Sequence, residues 1–107
     1  MTIADIIGMM LPMDLRFADE DLERLYTDPR SGGKYPQGVV KAYRRLVYYI
    51  AQAVDERDFR CMKSWHFEKI AGGRHSMRLN DQFRLIVEIV NSASGKAIFI
   101  QGIEDYH

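Results

Sequence analysis

The sequence predicts an α+β domain in which two N-terminal helices pack on one face of a small, mostly antiparallel β-sheet. Apolar residues recur at helical spacing in the first half of the chain, and a period of two begins after Gly73. With 107 residues, 47% of them hydrophobic, the chain is long enough for one core but too short for two domains of typical size. We therefore expect residues 1–107 to form a single domain.

Residues 1–13 are interpreted as an N-terminal extension of that domain. Apolar side chains at helical spacing precede Pro12, which predicts a short amphipathic helix over 1–11. The alternative is that Met13 is the natural start and that the residues before it are an upstream addition. The segment lacks a basic n-region and contains Asp5, so it is a poor signal peptide.

One brief strand and two helices are expected next. Polar and apolar residues alternate over 14–17, as in a strand. Asp19 is a suitable N-cap for a helix over 19–26, and Pro36 opens a longer helix over 36–53. The side of the longer helix opposite its apolar stripe is basic, which favours a solvated face, with contact to a nucleic-acid backbone as the alternative. Its cations are Lys41, Arg44 and Arg45.

The second half of the chain predicts the sheet. Residues 55–62 are charged and favour a turn or a short helix, and 63–73 form a connector whose aromatic residues anchor in the core. A turn is expected at Asn80 and Asp81, and a hairpin loop over 91–96. The expected strands cover residues 75–79, 83–90 and 97–103.

Charge is balanced over the whole chain but not along it. The formal net charge is zero. Residues 1–34 carry seven acids and four bases, whereas residues 35–107 carry eleven bases and eight acids. The composition therefore excludes strong attraction of the whole molecule to nucleic acid and predicts a local positive field in the second half.

Cys61 is the single cysteine, which excludes an internal disulfide and fits the reducing cytoplasm. A packing role is favoured over a nucleophile beside His66. The histidines and the cysteine show no paired spacing of metal ligands, so we expect no metal and no other cofactor. No apolar run reaches the length of a transmembrane helix, so we expect no membrane partner.

The stretch 74–84 carries three arginines on a predicted hairpin, at Arg74, Arg78 and Arg84. Guanidinium groups on rigid strands are suited to phosphate oxygens, although ordinary surface arginines are the alternative. If the sheet forms as predicted, His66 and Lys69 approach these arginines from the connector and residues 105–107 approach from the chain end.

Together these side chains are the types that metal-free RNA cleavage requires. The reaction needs a base for the 2′-hydroxyl proton, cations for the phosphorane charge and an acid for the leaving 5′-oxygen. DNA lacks that nucleophile. Each residue alone also has an ordinary structural alternative, such as a hydrogen-bonding histidine, a surface lysine or a frayed chain end.

Three ordered segments resemble the HigB branch of the RelE-like bacterial toxins. They are Trp-His-Phe-Glu-Lys at 65–69, the stretch 75–85, and Asp-Tyr-His at 105–107. The resemblance covers residues 15–107 and implies a RelE/ParE-like toxin fold. It also implies a cytoplasmic, ribosome-dependent mRNA endonuclease of a type II toxin–antitoxin system. The implied partners are the ribosome with its mRNA and a HigA-type helix-turn-helix antitoxin, with DNA reached only through the antitoxin complex.

The resemblance assigns roles to individual residues. Arg84 and Lys69 would stabilise phosphorane charge, His107 or Asp105 would handle the attacking proton, and Tyr106 would stack on a base or donate to the phosphate. The implied catalytic set is His66, Lys69, Arg84, Asp105, Tyr106 and His107. Within the RNA-binding set, Arg78 would orient the backbone and Arg74 lies at the rim. That set is Arg78, Asn80, Gln82 and Arg74.

Two departures from the family pattern keep other functions open. Phe83 stands where many relatives have tryptophan, and the net charge is zero whereas such toxins are commonly basic. One alternative is a ParE-like toxin that binds a protein target such as gyrase and cuts no RNA. The other is an inactive member that only binds its antitoxin.

Overall fold

The computed structural model describes residues 14–53, 57–60, 62–92 and 95–105. These residues form an α+β domain with three α-helices, five strands and two 3₁₀ turns. The helices are α1 (Glu20–Thr27), α2 (Gln37–Gln52) and α3 (Arg57–Arg60). The strands are β1 (Asp14–Phe17), β2 (Glu68–Lys69), β3 (Arg74–Arg78), β4 (Phe83–Ser92) and β5 (Gly95–Asp105). The 3₁₀ turns are Lys63–Trp65 and Ala71–Gly73.

The five strands form one mixed sheet in the order β1-β5-β4-β3-β2. Three of the four pairings are antiparallel, but β1 runs parallel to β5, with Asp14 opposite Ala97 and Phe17 opposite Ile100. The alternation over 14–17 predicts this strand but not its partner, and we expected the sheet from the second half of the chain alone. The first described strand therefore completes a sheet that the last strands build.

Helix α1 begins where the sequence predicts. The Asp19 side chain accepts a hydrogen bond from the Leu22 amide at 2.9 Å, which satisfies one of the open amides of the first turn. Leu22 and Leu25 are the buried residues of this helix. The hydroxyl of Tyr43, on α2, donates to the Leu22 carbonyl at 2.6 Å and ties the two helices together. Burial, followed by the nearby Asp19 carboxylate, raises the pKa of Tyr43 far above its ordinary value.

The hydrophobic core lies between the helices and one face of the sheet. Buried residues of α1 and α2 join one cluster with strand residues that alternate along β3, β4 and β5. We call this side of the sheet the helix face. Its fully buried strand residues are Met77, Leu85, Val87, Ile98 and Ile100. The opposite side carries Arg74, Arg78 and Arg84 and is called the arginine face.

Arg44 has a structural role that its position in the sequence does not reveal. Its Nε donates to the Leu25 carbonyl at 2.9 Å, near the C-terminal end of α1. Its Nη2 donates to the carbonyls of Asp28 at 3.0 Å and Ser31 at 2.6 Å. Arg44 therefore holds the end of α1 and the following loop, whereas Lys41 and Arg45 are exposed as expected.

The connector and the last strands differ in detail from expectation. The charged segment 55–62 contains the short helix α3, one of the two forms expected for it, whereas β2 interrupts the connector. Strands β4 and β5 are longer than predicted and replace most of the loop expected over 91–96. The expected helix over 1–11 and Cys61 lie outside the described residues. No helix in the described ranges is long and apolar enough to cross a membrane.

Candidate functional site

Two arginines meet on the arginine face at the end of the β3–β4 hairpin. Arg78 and Arg84 are direct Cα partners, and Arg84 is in turn the partner of Glu104 on β5. Directly opposed residues of an antiparallel pair project to the same face of a sheet. The three side chains therefore form one charged row across β3, β4 and β5, and all three Cα positions are fixed by the sheet.

The turn that brings the two arginines together is held by its own side chains. Asn80 Oδ1 accepts from the amides of Gln82 at 2.9 Å and Phe83 at 2.7 Å. The Arg78 guanidinium forms an ion pair with Asp81 of the same turn. Asn80, which the resemblance places in the RNA-binding set, forms the turn through these contacts.

The described end of the chain, Asp105, lies beside this turn. Its side chain projects to the face of the sheet opposite that of Arg84. Gln82 Nε2 donates to Asp105 Oδ2 at 3.0 Å, and the Cα partner of Asp105 is Phe83. Because neighbouring residues of a strand point to opposite faces, Glu104 shares the arginine face and Asp105 does not. Tyr106 and His107 lie outside the described residues.

His66 is held in a strained backbone conformation close to β2. Its φ of 48° makes it the one residue other than glycine with positive φ in the described ranges, a conformation that costs about 1–3 kcal/mol and is common at functional sites. Its amide donates to the Lys63 carbonyl at 3.2 Å. Since β2 and β3 are antiparallel, with Glu68 opposite Ser76, the chain before Glu68 extends toward the Arg78 end of β3.

Lys69 and Arg74 are placed away from this row. Lys69 pairs with His75, which pairs in turn with Val87 of the core, so Lys69 belongs to the edge of the helix face. Arg74 Nε donates to the Ala71 carbonyl at 3.3 Å. The structure thus brings Arg78, Arg84 and the chain before β2 toward one end of the sheet, with Lys69 on the other face.

Sequence reasoning missed Glu104. The signal was present in the alternation of the last strand, because Gly102 and Glu104 share the face opposite Ile103. Glu104 thus places a carboxylate, a group type that can pair with a guanidinium or accept a proton, on the same face as Arg84. No group of three or more histidine, cysteine, aspartate or glutamate side chains suited to a metal occurs among the described residues.

The arrangement can be compared with known proteins. A sequence model of HigB, described as a RelE-like toxin of type II toxin–antitoxin systems, matches residues 15–102. The chain belongs to the HigB-like toxin family. The resemblance seen in the sequence is confirmed, and the match contains His66, Lys69, Arg78 and Arg84.

A solved structure has the same fold as this HigB-like chain. It is described as a YoeB/ParE toxin from Agrobacterium tumefaciens, with a TM-score of 0.54 and 14% sequence identity. The similarity covers 89% of this chain and 100% of that chain. No curated protein matches the chain in sequence. The solved structure supports the α+β toxin fold, and the family match assigns the chain to type II toxin–antitoxin toxins.

Proposed function

We propose that this HigB-like toxin is a metal-independent endoribonuclease that cuts mRNA on the translating ribosome in the cytoplasm and so blocks translation. The observation that carries the proposal is the pairing of Arg78 with Arg84 on one face of the sheet. Two guanidinium groups on paired rigid strands form a preorganised receptor for phosphate oxygens. Family membership supports an antitoxin partner, for which we propose a HigA-type helix-turn-helix protein.

The reaction would be an attack within the RNA strand. The 2′-oxygen forms a bond to the adjacent phosphorus, and the bond from that phosphorus to the 5′-oxygen breaks. A base takes the 2′-hydroxyl proton and an acid protonates the departing oxygen, which leaves a cyclic phosphate and a 5′-hydroxyl end. The negative charge grows on the nonbridging oxygens, where a fixed cation gives most stabilisation.

The described side chains divide these tasks according to their positions. Arg84 would stabilise the phosphorane and Arg78 would orient the strand from the neighbouring position. His66 would transfer a proton, because histidine is the side chain type suited to that step near neutral pH. Glu104 adds a carboxylate that fixes the Arg84 guanidinium or accepts a proton.

The remaining members of the predicted set have less direct roles in this proposal. Lys69 would reach the RNA only around the edge of the sheet, since its Cα partner His75 belongs to the helix face. Asp105 would position Gln82 through their 3.0 Å hydrogen bond. Tyr106 and His107 stay in the proposal on the strength of the family resemblance, Tyr106 as the residue that stacks on a base or donates to the phosphate and His107 as a proton carrier.

The proposal is tested by inducing the protein in a sensitive bacterium and mapping the 5′ ends of mRNA. New ends should appear with the unmodified protein and disappear with Arg84→Ala. Arg16→Ala is the matched control, because Arg16 is an exposed arginine on β1 that pairs with Asp14 at the far edge of the sheet. It should cut as the unmodified protein does.

Two outcomes would assign another function. Intact mRNA with defects in DNA supercoiling would favour a ParE-like toxin that binds gyrase. Intact mRNA with normal growth, together with binding to the antitoxin, would favour an inactive member.

A further inference from the structure

A second group of cations lies beside His66, outside the residues used so far. Arg60, Lys63 and His66, with Met62 and Phe67, line an open depression of about 320 Å³. The first three carry or can carry positive charge, and all three are exposed. Asp58, two residues before Arg60, lines a separate apolar groove with Phe59 and Trp65 instead.

The Arg60 guanidinium has a defined position in this depression. Its Cζ lies 5.4 Å from the centre of the Phe67 ring, within the range of a cation–π contact. The Phe67 ring is itself stacked on His75 of β3, with 4.6 Å between ring centres and parallel planes. Arg60 thus rests on an aromatic pair anchored to the sheet, which reduces the entropy lost when it binds a ligand.

Lys63 and His66 are linked through the backbone. The Lys63 carbonyl accepts the His66 amide in the 3₁₀ turn, and His66 follows in its left-handed conformation. A shift of one residue therefore moves the other. Among the described residues, neither Arg60 nor Lys63 has a carboxylate within salt-bridge distance.

We propose that Arg60 and Lys63 form a subsite at the β2 edge of the sheet for a second backbone phosphate of the RNA strand that Arg78 and Arg84 bind. This inference rests on the proposed function. Because the chain before β2 extends toward the Arg78 end of β3, His66 and the depression that it lines lie at the β2 edge of the sheet. An RNA strand bound at Arg78 and Arg84 then passes around the β2 edge of the sheet, past His66, into the depression, where a phosphate meets the Arg60 guanidinium and the Lys63 ammonium.

The test measures binding separately from cleavage. The probe is a short single-stranded oligoribonucleotide with methylated 2′-oxygens, which keeps its phosphates but cannot be cut. Affinity is measured at several salt concentrations for the unmodified protein, Arg60→Gln and Lys63→Gln. Each substitution should lower the slope of log affinity against log salt by about 0.7, the value for one lost phosphate contact on a single strand.

Matched controls come from α2. Lys41→Gln and Arg45→Gln remove the same charge from exposed positions on the helix, away from the depression, and should leave the slope unchanged. Equal effects at all four positions would overturn the subsite, because a general change of net charge would explain them. Unchanged slopes for Arg60→Gln and Lys63→Gln, or no binding by the unmodified protein, would overturn it too.

Two further measurements identify which RNA supplies the phosphate and test the subsite independently of the nuclease proposal. If the subsite holds the mRNA substrate, Lys63→Gln should bind vacant ribosomes normally; a weaker complex there would assign the contact to ribosomal RNA and overturn the inference. Cleavage by the unmodified protein is mapped in parallel. If the slopes change but the unmodified protein cuts no mRNA, the subsite is supported and the nuclease proposal is wrong. If the unmodified protein cuts mRNA but the slopes do not change, the nuclease proposal is supported and the subsite is wrong.

Discussion

Arg44 and Arg84 carry the same side chain but lie in contrasting regions of the molecule. Arg44, on α2, donates to three backbone carbonyls, those of Leu25, Asp28 and Ser31. Arg84 is a half-buried strand residue on the arginine face, between Arg78 and Glu104. One guanidinium completes the fold of a loop, whereas the other stands in a row of charged side chains.

The difference shows that the backbone around an arginine decides its role. Carbonyl groups at the C-terminal end of a helix have no partner within the helix and attract cationic donors. Arg44 therefore donates to backbone carbonyls of the protein itself. Paired strands leave no such unsatisfied carbonyls between them. Arg78 on β3 accordingly pairs with a side chain, that of Asp81, and we expect Arg44 and the paired strand arginines Arg78 and Arg84 to respond differently to substitution.

The largest expected effect is a loss of mRNA cleavage in the Arg84→Lys variant. Lysine keeps the charge but loses the planar fork that contacts two phosphate oxygens. We expect the rate of mRNA cleavage on translating ribosomes to fall by about 100-fold or more, the scale for one lost donor to a developing oxyanion. Arg16→Lys should retain the full rate. A normal rate with Arg84→Lys would show that only charge is required at this position.

Arg44→Ala should affect stability instead. It removes three hydrogen bonds from a charged, half-buried donor, and we expect the free energy of unfolding in urea to fall by about 3 kcal/mol. Arg45→Ala, at the exposed neighbouring position, should change it by less than about 0.5 kcal/mol. Equal effects of the two substitutions would mean that the loop is held by other contacts.

A smaller loss of stability is expected from substitution of Tyr43. Like Arg44, Tyr43 donates to a carbonyl of α1, but through a single hydroxyl. Tyr43→Phe removes the 2.6 Å hydrogen bond to the Leu22 carbonyl and should cost about 1 kcal/mol. Tyr48→Phe is the control, because Tyr48 is exposed. No loss of stability in Tyr43→Phe would show that α1 does not depend on this hydroxyl.

The Tyr43→Phe variant also tests how the stability of the protein depends on pH. The pKa of Tyr43 is raised in the folded protein from its ordinary value of 10.0. Its contribution to stability is therefore complete below about pH 10 and decreases as the pH rises above that value. Between about pH 9 and about pH 11, the unmodified protein should lose more stability than Tyr43→Phe. Equal losses would contradict the burial of this hydroxyl.

Much of the fold could be predicted because its signals are local. The Asp19 cap, Pro36 and the change to a period of two each act within a few residues, and they place α1, α2 and the C-terminal strands. The parallel pairing of β1 with β5 could not be predicted, because alternation indicates a strand without selecting its partner. The short strand β2 was not predicted, because a segment of two residues is too short to show the alternation that indicates a strand.

The candidate site was predictable in its residue types but only partly in its geometry. The spacing of Arg78 and Arg84 around a turn is enough to pair them on one face. The face of Lys69 depends on the pairing of a two-residue strand, and the conformation of His66 depends on a 3₁₀ turn with no clear sequence signal. The sequence favours a solvated face for Arg44 and does not reveal its structural role, because its acceptors come from another helix and loop.

The parallel strand pair β1–β5 also determines when this protein can be completed during synthesis. Asp14 pairs with Ala97, so β1 must wait for nearly the whole chain before its backbone groups find partners. Chains grow at about 5–20 residues per second, which keeps β1 without its partner strand for several seconds. The sheet therefore closes only after β5 has been synthesised, and β1 has no partner strand during that interval.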